Sequence, residues 1–204
     1  SLNKFGYSVD VSGDRVVVGE PYADVSGVDK AGKAWVFKRT GTSWDSGTLI
    51  SPSVASSAND IFGSSVAVSG STVAVGAEGT LSSNGGHAYI FQYYNPCPQF
   101  SSCSSIWNQK ATIDKPNIGT SVDIDGSKIA FGASHAEKVY IYNYTGSSET
   151  WSATLEDEIS GSSAGYGSTR YFGRSVSLSG DLLAVGAPWY SYSSSTQTAG
   201  AVYV

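Results

Sequence analysis

Few residues in this chain of 204 have the side chains that catalysis needs. The two histidines, His87 and His135, occupy different places in their stretches of sequence, and neither has Asp and Ser neighbours in the pattern of a catalytic triad. Acidic residues at Asp24, Asp29 and 156–160 could contact a cation or a carbohydrate, although acidic loops are more commonly only solvated. We therefore expect no catalytic site, no metal site and no cofactor, and we predict that the protein is not an enzyme.

Two cysteines, Cys97 and Cys103, lie close together in the segment NPCPQFSSCSS. A disulfide across this short loop would hold an insertion that has no regular structure of its own. A metal site is a weaker interpretation, because it needs more ligands than two thiols and the nearby candidates are only Ser and Gln. We predict the disulfide, which indicates a secreted or cell-surface protein. The triplet Asn-Tyr-Thr at Asn143 is a candidate N-glycosylation site and agrees with that location.

The aromatic residues Trp189, Tyr190 and Tyr192 stand among serines in the segment APWYSYSSSTQTAGAV. This pattern suits contact with a protein or stacking on a sugar. An equal alternative is that one or two of the rings cap the core of the protein itself. A second insertion, YYNPCPQFSSC, is the next candidate for contact.

The composition excludes two classes of partner. The formal net charge is -5, and the chain has no cluster of the Lys and Arg residues that phosphate binding requires. It also has no apolar run near the roughly 18 residues that a membrane-spanning helix needs. We expect no nucleic-acid partner and no membrane insertion in this segment. Because the chain begins at Ser1 and contains no Met, we expect a processed product or a piece of a longer protein.

One sequence pattern occurs four times and determines where these candidate residues lie. The stretch FGRSVSLSGDLLAVGAP begins at Phe172, and similar stretches begin at Phe5, Phe62 and Ile118, which gives a period of about 55 residues. In every copy the same interval separates two glycines, whereas the segments between copies vary. A fixed unit joined by variable loops is typical of a repeat architecture.

Each copy has the pattern of four short antiparallel strands. In the first copy, Tyr7, Val9 and Val11 alternate with polar residues, SGD forms a turn, and VVV returns the chain as a hairpin. A third strand follows in GKAWVFKR, and a fourth begins near Trp44. One such sheet cannot bury its two apolar faces alone, so neighbouring copies must cover them. The pattern predicts an all-β fold, a β-propeller of four-stranded antiparallel blades.

We expect one propeller region over residues 1–204, with repeats at 5–61, 62–117, 118–171 and 172–204. The last repeat ends after its third strand, so another segment should complete its edge. Small serines recur on the first strand of each copy, where the crowded propeller axis favours them: Ser8, Ser65, Ser121 and Ser175. The strand positions expected to be mainly buried are Val9, Val11, Val17, Val66, Val68, Val73, Val122, Ile124, Val176 and Leu178.

The motifs Phe-Gly, Ser-Val, Val-Gly-Ala-Pro and Gly-Ala-Val-Tyr-Val, all present after Phe172, resemble FG-GAP repeats. These repeats are the blades of the integrin alpha-chain β-propeller, and the chain is more similar to a short-turn version found in many extracellular proteins. The resemblance covers nearly the whole chain and implies the propeller fold. It does not imply one activity, because a repeated scaffold can host many functions.

The chain departs from the integrin pattern where calcium would bind. Integrin-type repeats that bind calcium carry Asp-x-Asp-x-Asp-Gly between the first two strands, whereas this chain has SGD, SGS, DGS and SGD. A calcium ion takes about six to eight oxygen ligands, which Asp14, Asp125 or Asp181 alone cannot supply. We therefore do not expect the calcium sites of the family in this chain.

Two functional classes remain open. The first is a non-enzymatic structural or protein-interaction module of a larger cell-surface or filament assembly, which contacts copies of itself or neighbouring domains of its own chain. Its candidate contact is the last strand, with Val202, Tyr203 and Val204, because an unpaired strand edge invites pairing. The alternative is a glycan- or ligand-binding adhesin that uses the aromatic loop at Trp189. In both classes we expect an extracellular or cell-surface location.

Overall fold

The computed structural model describes residues 2–53, 57–79, 85–95, 106–145, 152–164, 171–189, 191–193, 196–198 and 200–204. The predicted disulfide between Cys97 and Cys103 lies outside the described residues, and so does Tyr190. The fold is all-β, as predicted, and four antiparallel sheets form a four-bladed β-propeller.

The blades follow one another along the chain, and every strand pairing within them is antiparallel. Blade 1 contains β1 (Ser8–Ser12), β2 (Arg15–Glu20), β3 (Lys33–Thr40), β4 (Ser43–Trp44) and β5 (Thr48–Ile50). Blade 2 contains β6 (Phe62–Ser69), β7 (Thr72–Ala77), β8 (His87–Tyr94) and β9 (Ile106–Asp114). Blade 3 contains β10 (Ser121–Asp125), β11 (Lys128–Ala133), β12 (Lys138–Thr145) and β13 (Ser152–Ser160), followed by a 3-10 turn at Gly161–Ala164.

Blade 4 has three strands in the part of the chain that the structure describes. These are β14 (Ser175–Ser179), β15 (Leu182–Ala187) and, after a separate hairpin of β16 (Ser191–Ser193) and β17 (Thr196–Thr198), β18 (Ala201–Tyr203). The strand β18 pairs with β15. In each of the other blades, one or two further strands pair with the third strand.

A tight turn joins the first two strands of each blade and fixes their register. In blade 1 the turn contains Gly13, whose φ of 59° is a left-handed conformation that glycine adopts without a steric cost. The resulting register pairs Val9 with Val18 and Val11 with Val16. Because successive side chains of a strand point to opposite faces, these valines share one face of the blade.

The hydrophobic core lies between adjacent blades. Blade 2 directs larger side chains towards blade 1 and smaller ones towards blade 3, so that unlike faces meet at each interface. The residues facing blade 1 include Val66, Val73, Val75, Tyr89 and Phe91, and those facing blade 3 include Ala67, Ala74, Ala88, Ile90 and Ile113. Complementary packing of this kind buries both faces of blades 2 and 3.

Most of the positions that the sequence pattern predicts to be buried are covered by a neighbouring blade. Val17, Val66, Val68, Val73 and Ile124 are buried, and Val122, Val176 and Leu178 are half-buried at the same interfaces.

The prediction for Val9 and Val11 is wrong, because these side chains are 64% and 66% exposed. They lie on the face of blade 1 that points away from blade 2, and no other described blade covers that face. No hydrophobic cluster of the described residues joins blade 4 to blade 1.

Candidate functional site

A serine on the first, innermost strand of each of blades 1 to 3 forms a hydrogen bond with the blade that follows. Its hydroxyl donates a hydrogen bond to the carbonyl oxygen of the glycine in the next blade's Phe-Gly motif, which is Ile-Gly in blade 3. The three bonds are Ser8 Oγ to Gly63 at 2.8 Å, Ser65 Oγ to Gly119 at 2.8 Å and Ser121 Oγ to Gly173 at 2.9 Å. The sequence pattern predicted small side chains at these positions but missed the bond. Its signal is the recurrence of the serine and of the Phe-Gly glycine at matching places in successive copies.

A glycine on the second strand makes room for this contact. A Cβ atom at Gly76 would overlap the carbonyl oxygen of Gly119 in the next blade, so no other residue fits without movement of the backbone. The same holds for Gly19 and Gly132 with their own next blades. At Gly186 the three nearest atoms to a Cβ atom would all belong to Ser175, which lies in the same blade. The fourth blade therefore has the same free space at Gly186, and no described blade occupies it.

The Phe-Gly motif is the part of each blade that packs into the preceding blade. The first residue of the motif is fully buried at Phe62 and Ile118, and almost fully buried at Phe172. The Phe62 amide donates a hydrogen bond of 3.1 Å to the carbonyl oxygen of Ala31 in blade 1. The residue before each motif has a positive φ: 49° at Ile61, 57° at Asn117 and 63° at Tyr171.

The first Phe-Gly motif has the same backbone geometry, but no described blade lies against it. Lys4 has a φ of 57° and Gly6 a φ of 85°, as in the later copies. Phe5 rests edge-on against Phe37 of its own blade at 6.2 Å between ring centroids, but it is 57% exposed. We name this surface the head face and define it by Phe5, Val9 and Val11.

Blade 4 exposes the opposite side of the same kind of interface. Ser175, Gly186 and Val202 line an open groove of about 660 Å³. Val202 and Val204 are 73% and 90% exposed, and together with Ser175 and Gly186 they define what we name the tail face. The residues that correspond to Val202 are fully buried in blades 1 to 3: Ala34, Ala88 and Val139. Those that correspond to Val204 are buried in blades 1 and 2, at Val36 and Ile90, and half-buried in blade 3, at Ile141.

The structure separates the three candidate residues of the last strand. Val202 and Val204 point into the open tail face, whereas Tyr203 packs edge-on against Phe172 with 5.2 Å between ring centroids. Tyr203 therefore belongs to the interface between blades 3 and 4. Of these three residues, the two valines are exposed and Tyr203 is half-buried.

The predicted aromatic loop lies beside a cluster that spans three blades. Trp189 is 53% exposed and packs edge-on against Tyr171 at 4.6 Å between ring centroids. Tyr171 packs in the same way against His135 at 5.0 Å, and His135 Nδ1 lies 3.8 Å from Glu78 Oε1. Trp189 thus has an internal partner and an exposed side. Tyr192 lies in β16, and its side chain is outside the described part of the structure.

The candidate glycosylation residue is half-buried in β12. The Asn143 side-chain amide donates a hydrogen bond of 3.1 Å to Glu156 on β13, and its oxygen accepts one of 3.4 Å from Ser127. Attachment of a glycan would therefore have to release the amide from Glu156. The modification stays a prediction from the sequence.

Charged side chains pair across the surface of blades 3 and 4. Lys128 donates a hydrogen bond of 3.0 Å to Asp181, which raises the pKa of the lysine above its usual value, and Glu156 lies 3.7 Å from the same nitrogen. The described residues include no group of three or more His, Cys, Asp or Glu placed to hold a metal ion. Within the same described ranges, no helix has the length and apolar character needed to cross a membrane.

Blades of antiparallel strands stack on one another, and a hydrogen bond from the innermost strand joins each of the first three blades to the next. This arrangement defines a β-propeller of the repeat type, a scaffold suited to protein interaction. The FG-GAP repeat family matches residues 1–37, 50–91 and 164–204, which together make up more than half of the chain. The chain belongs to the FG-GAP repeat family. No curated protein matches it significantly.

Proposed function

We propose that this chain is a non-enzymatic protein-interaction module of the cell surface or extracellular space, where its exposed blade faces hold it in a larger assembly. The family and the propeller fold support an interaction role. The predicted disulfide and the sequon at Asn143 support the location. The partner is another protein surface, and the chain acts as a rigid connecting unit.

The observation that carries this proposal is the exposure of Val202 and Val204 on the tail face. Single exposed apolar residues are normal, but Val202 lines the groove beside Gly186, and the positions of both valines are buried or half-buried in every other blade. An apolar surface shaped like an internal blade interface fits a protein partner better than a soluble small molecule.

The double substitution Val202→Glu and Val204→Glu tests the proposal. Sedimentation velocity over a wide range of concentration should show association of the wild-type chain and its loss in this variant. Leu155→Glu is the matched control, because Leu155 is an exposed apolar residue of β13 outside the tail face. Equal association of all three proteins would contradict a role for the tail face.

A second candidate function is glycan binding by the aromatic loop, favoured by the exposed side of Trp189. A glycan array with the wild-type chain and Trp189→Ala distinguishes the two functions. We expect no saturable binding to any glycan. A chain that stays monomeric and binds a glycan, with binding lost in Trp189→Ala, would replace the assembly proposal with the adhesin proposal.

A further inference from the structure

The head and tail faces carry the two halves of an interface that the chain already forms three times. At the head face, Val11 corresponds to Val68 and Ile124, which are buried against the preceding blade. At the tail face, Val202 corresponds to residues that are buried against the following blade, such as Ala88. None of the described blades therefore covers either face.

The donor and the acceptor of a serine hydrogen bond also lie at opposite ends of the chain. Ser175 corresponds to the serines that donate to the next blade, and it stands beside Gly186 in the open groove. The glycine carbonyl that would accept such a bond is that of Gly6, which corresponds to Gly63 and the later motif glycines. The donor is thus on the tail face and the acceptor is beside the head face.

A second contact between blades joins an aspartate carboxylate to a backbone amide, and it is not present at every interface. Asp10 accepts a hydrogen bond of 2.7 Å from the amide of Val68, and Asp123 accepts one of 2.6 Å from the amide of Leu178. Blade 2 has Ala67 at this position and still packs on blade 3. Ser177 at the tail face therefore does not prevent stacking, because the aspartate bond is not needed at every interface.

The two faces do not meet within one chain. Val11 is 66% exposed and Val202 is 73% exposed in the same molecule, so blade 4 does not cover blade 1. The groove beside Gly186 is open, and the backbone of Lys4 and Gly6 already has the positive φ values of an inserted Phe-Gly motif. The first Phe-Gly motif therefore already has the backbone conformation of its inserted counterparts.

We propose that the tail face binds the head face of a second copy of this chain. The contact is head to tail: Phe5 and Gly6 of one copy enter the groove at Gly186 of the other, and Ser175 Oγ donates to the Gly6 carbonyl. Such an interface joins two different surfaces, so it continues until a ring closes or a filament forms. This inference rests on the proposed function and names the partner of the tail face.

A mixing experiment tests the direction of the contact. Val11→Glu places a charge on the head face and leaves the tail face intact, whereas Val202→Glu does the reverse. Both residues are exposed, so neither substitution should prevent folding, which circular dichroism confirms. In sedimentation velocity each variant alone should be monomeric, and an equimolar mixture should form a complex of one copy of each that does not grow further.

Controls separate this inference from the proposed function. Leu155→Glu should associate like the wild-type chain, and Ser175→Ala should associate more weakly than the wild-type chain while folding normally. Association that is lost in Val202→Glu but unaffected by Val11→Glu would overturn the head-to-tail contact and leave the interaction function standing. A wild-type chain that is monomeric at every concentration would also overturn the contact between copies.

Discussion

The hydroxyl of Ser121 donates a hydrogen bond of 2.9 Å to the carbonyl oxygen of Gly173 and thereby joins the innermost strands of blades 3 and 4. The bond is possible because Gly132, on the neighbouring strand, has no side chain to separate the two backbones. Its counterparts at the first two interfaces use the same residue types. The repeat therefore specifies the contact between blades as well as the strands of each blade.

Removal of one of the serine hydroxyls that join neighbouring blades should destabilise the propeller. We predict that Ser65→Ala lowers the free energy of unfolding by about 1 kcal/mol, because the carbonyl oxygen of Gly119 loses a buried donor. Ser175→Ala is the control, since none of the described blades packs against the face of blade 4 that carries Ser175. Urea unfolding at low protein concentration measures both. Equal losses for the two variants would show that the serine acts only within its own blade.

A methyl group at the second-strand glycine that faces the next blade should also destabilise the propeller. Gly76→Ala should cost about 1–3 kcal/mol, because its Cβ atom would overlap the Gly119 carbonyl oxygen and force the blades apart. Gly186→Ala should cost less, since it requires only a movement of the Ser175 hydroxyl. Urea unfolding again provides the comparison. If Gly186→Ala were the more damaging change, the glycine would serve the hairpin and not the contact between blades.

The sequence predicted the fold well because its signals are local and repeated. Alternation of apolar residues around Val66, glycine at each turn and the interval between repeats are all properties of short segments. Exposure of Val9 could not be predicted in this way. Val9 and Val66 have nearly the same neighbours in sequence, and they differ only in whether another blade lies against them.

The candidate site was harder to predict than the fold. The sequence pattern indicated the aromatic loop and the last strand as contact sites, but Tyr203 and Val202 point to opposite faces of that strand. The hydrogen bond between Ser65 and Gly119 joins residues of different repeats, so it can be recognised only once the blades are stacked.

A charge introduced at equivalent positions of two blades should distinguish a covered face from an uncovered face by the stability that is lost. Val66→Asp should lower the free energy of unfolding by about 3 kcal/mol or more, because it places an unpaired charge between blades 1 and 2. Val9→Asp should cost about 1 kcal/mol or less, since its side chain reaches water. Thermal unfolding followed by circular dichroism tests the pair. Similar losses at the two positions would mean that blade 1 is covered in solution.

High pH should weaken the interface between blades 1 and 2. Burial raises the pKa of Tyr89 from 10.0 to about 12, with nearby Asp60 and Asp114 adding to the effect. The folded state therefore keeps the phenol proton at a pH where the unfolded chain releases it. The stabilisation is fully present below about pH 10 and is lost as the pH rises towards 12.

The variant Tyr89→Phe isolates this pH effect. Its stability should fall less than that of the wild-type chain over the same alkaline range, because it has no proton to release. Tyrosinate absorbance and urea unfolding, measured together, test the prediction. A parallel decline of both proteins would assign the alkaline loss to other groups.

Photo-crosslinking from the tail face tests most directly whether the chain assembles through it. Val202 is replaced by a photoreactive phenylalanine analogue, the purified chain is irradiated at a concentration where it associates, and mass spectrometry identifies the joined peptides. We predict a covalent dimer in which position 202 of one copy is joined to residues 5–11 or to β3 of another. Irradiation that joins no two chains at any concentration, or that joins position 202 only to other surfaces, would contradict head-to-tail assembly.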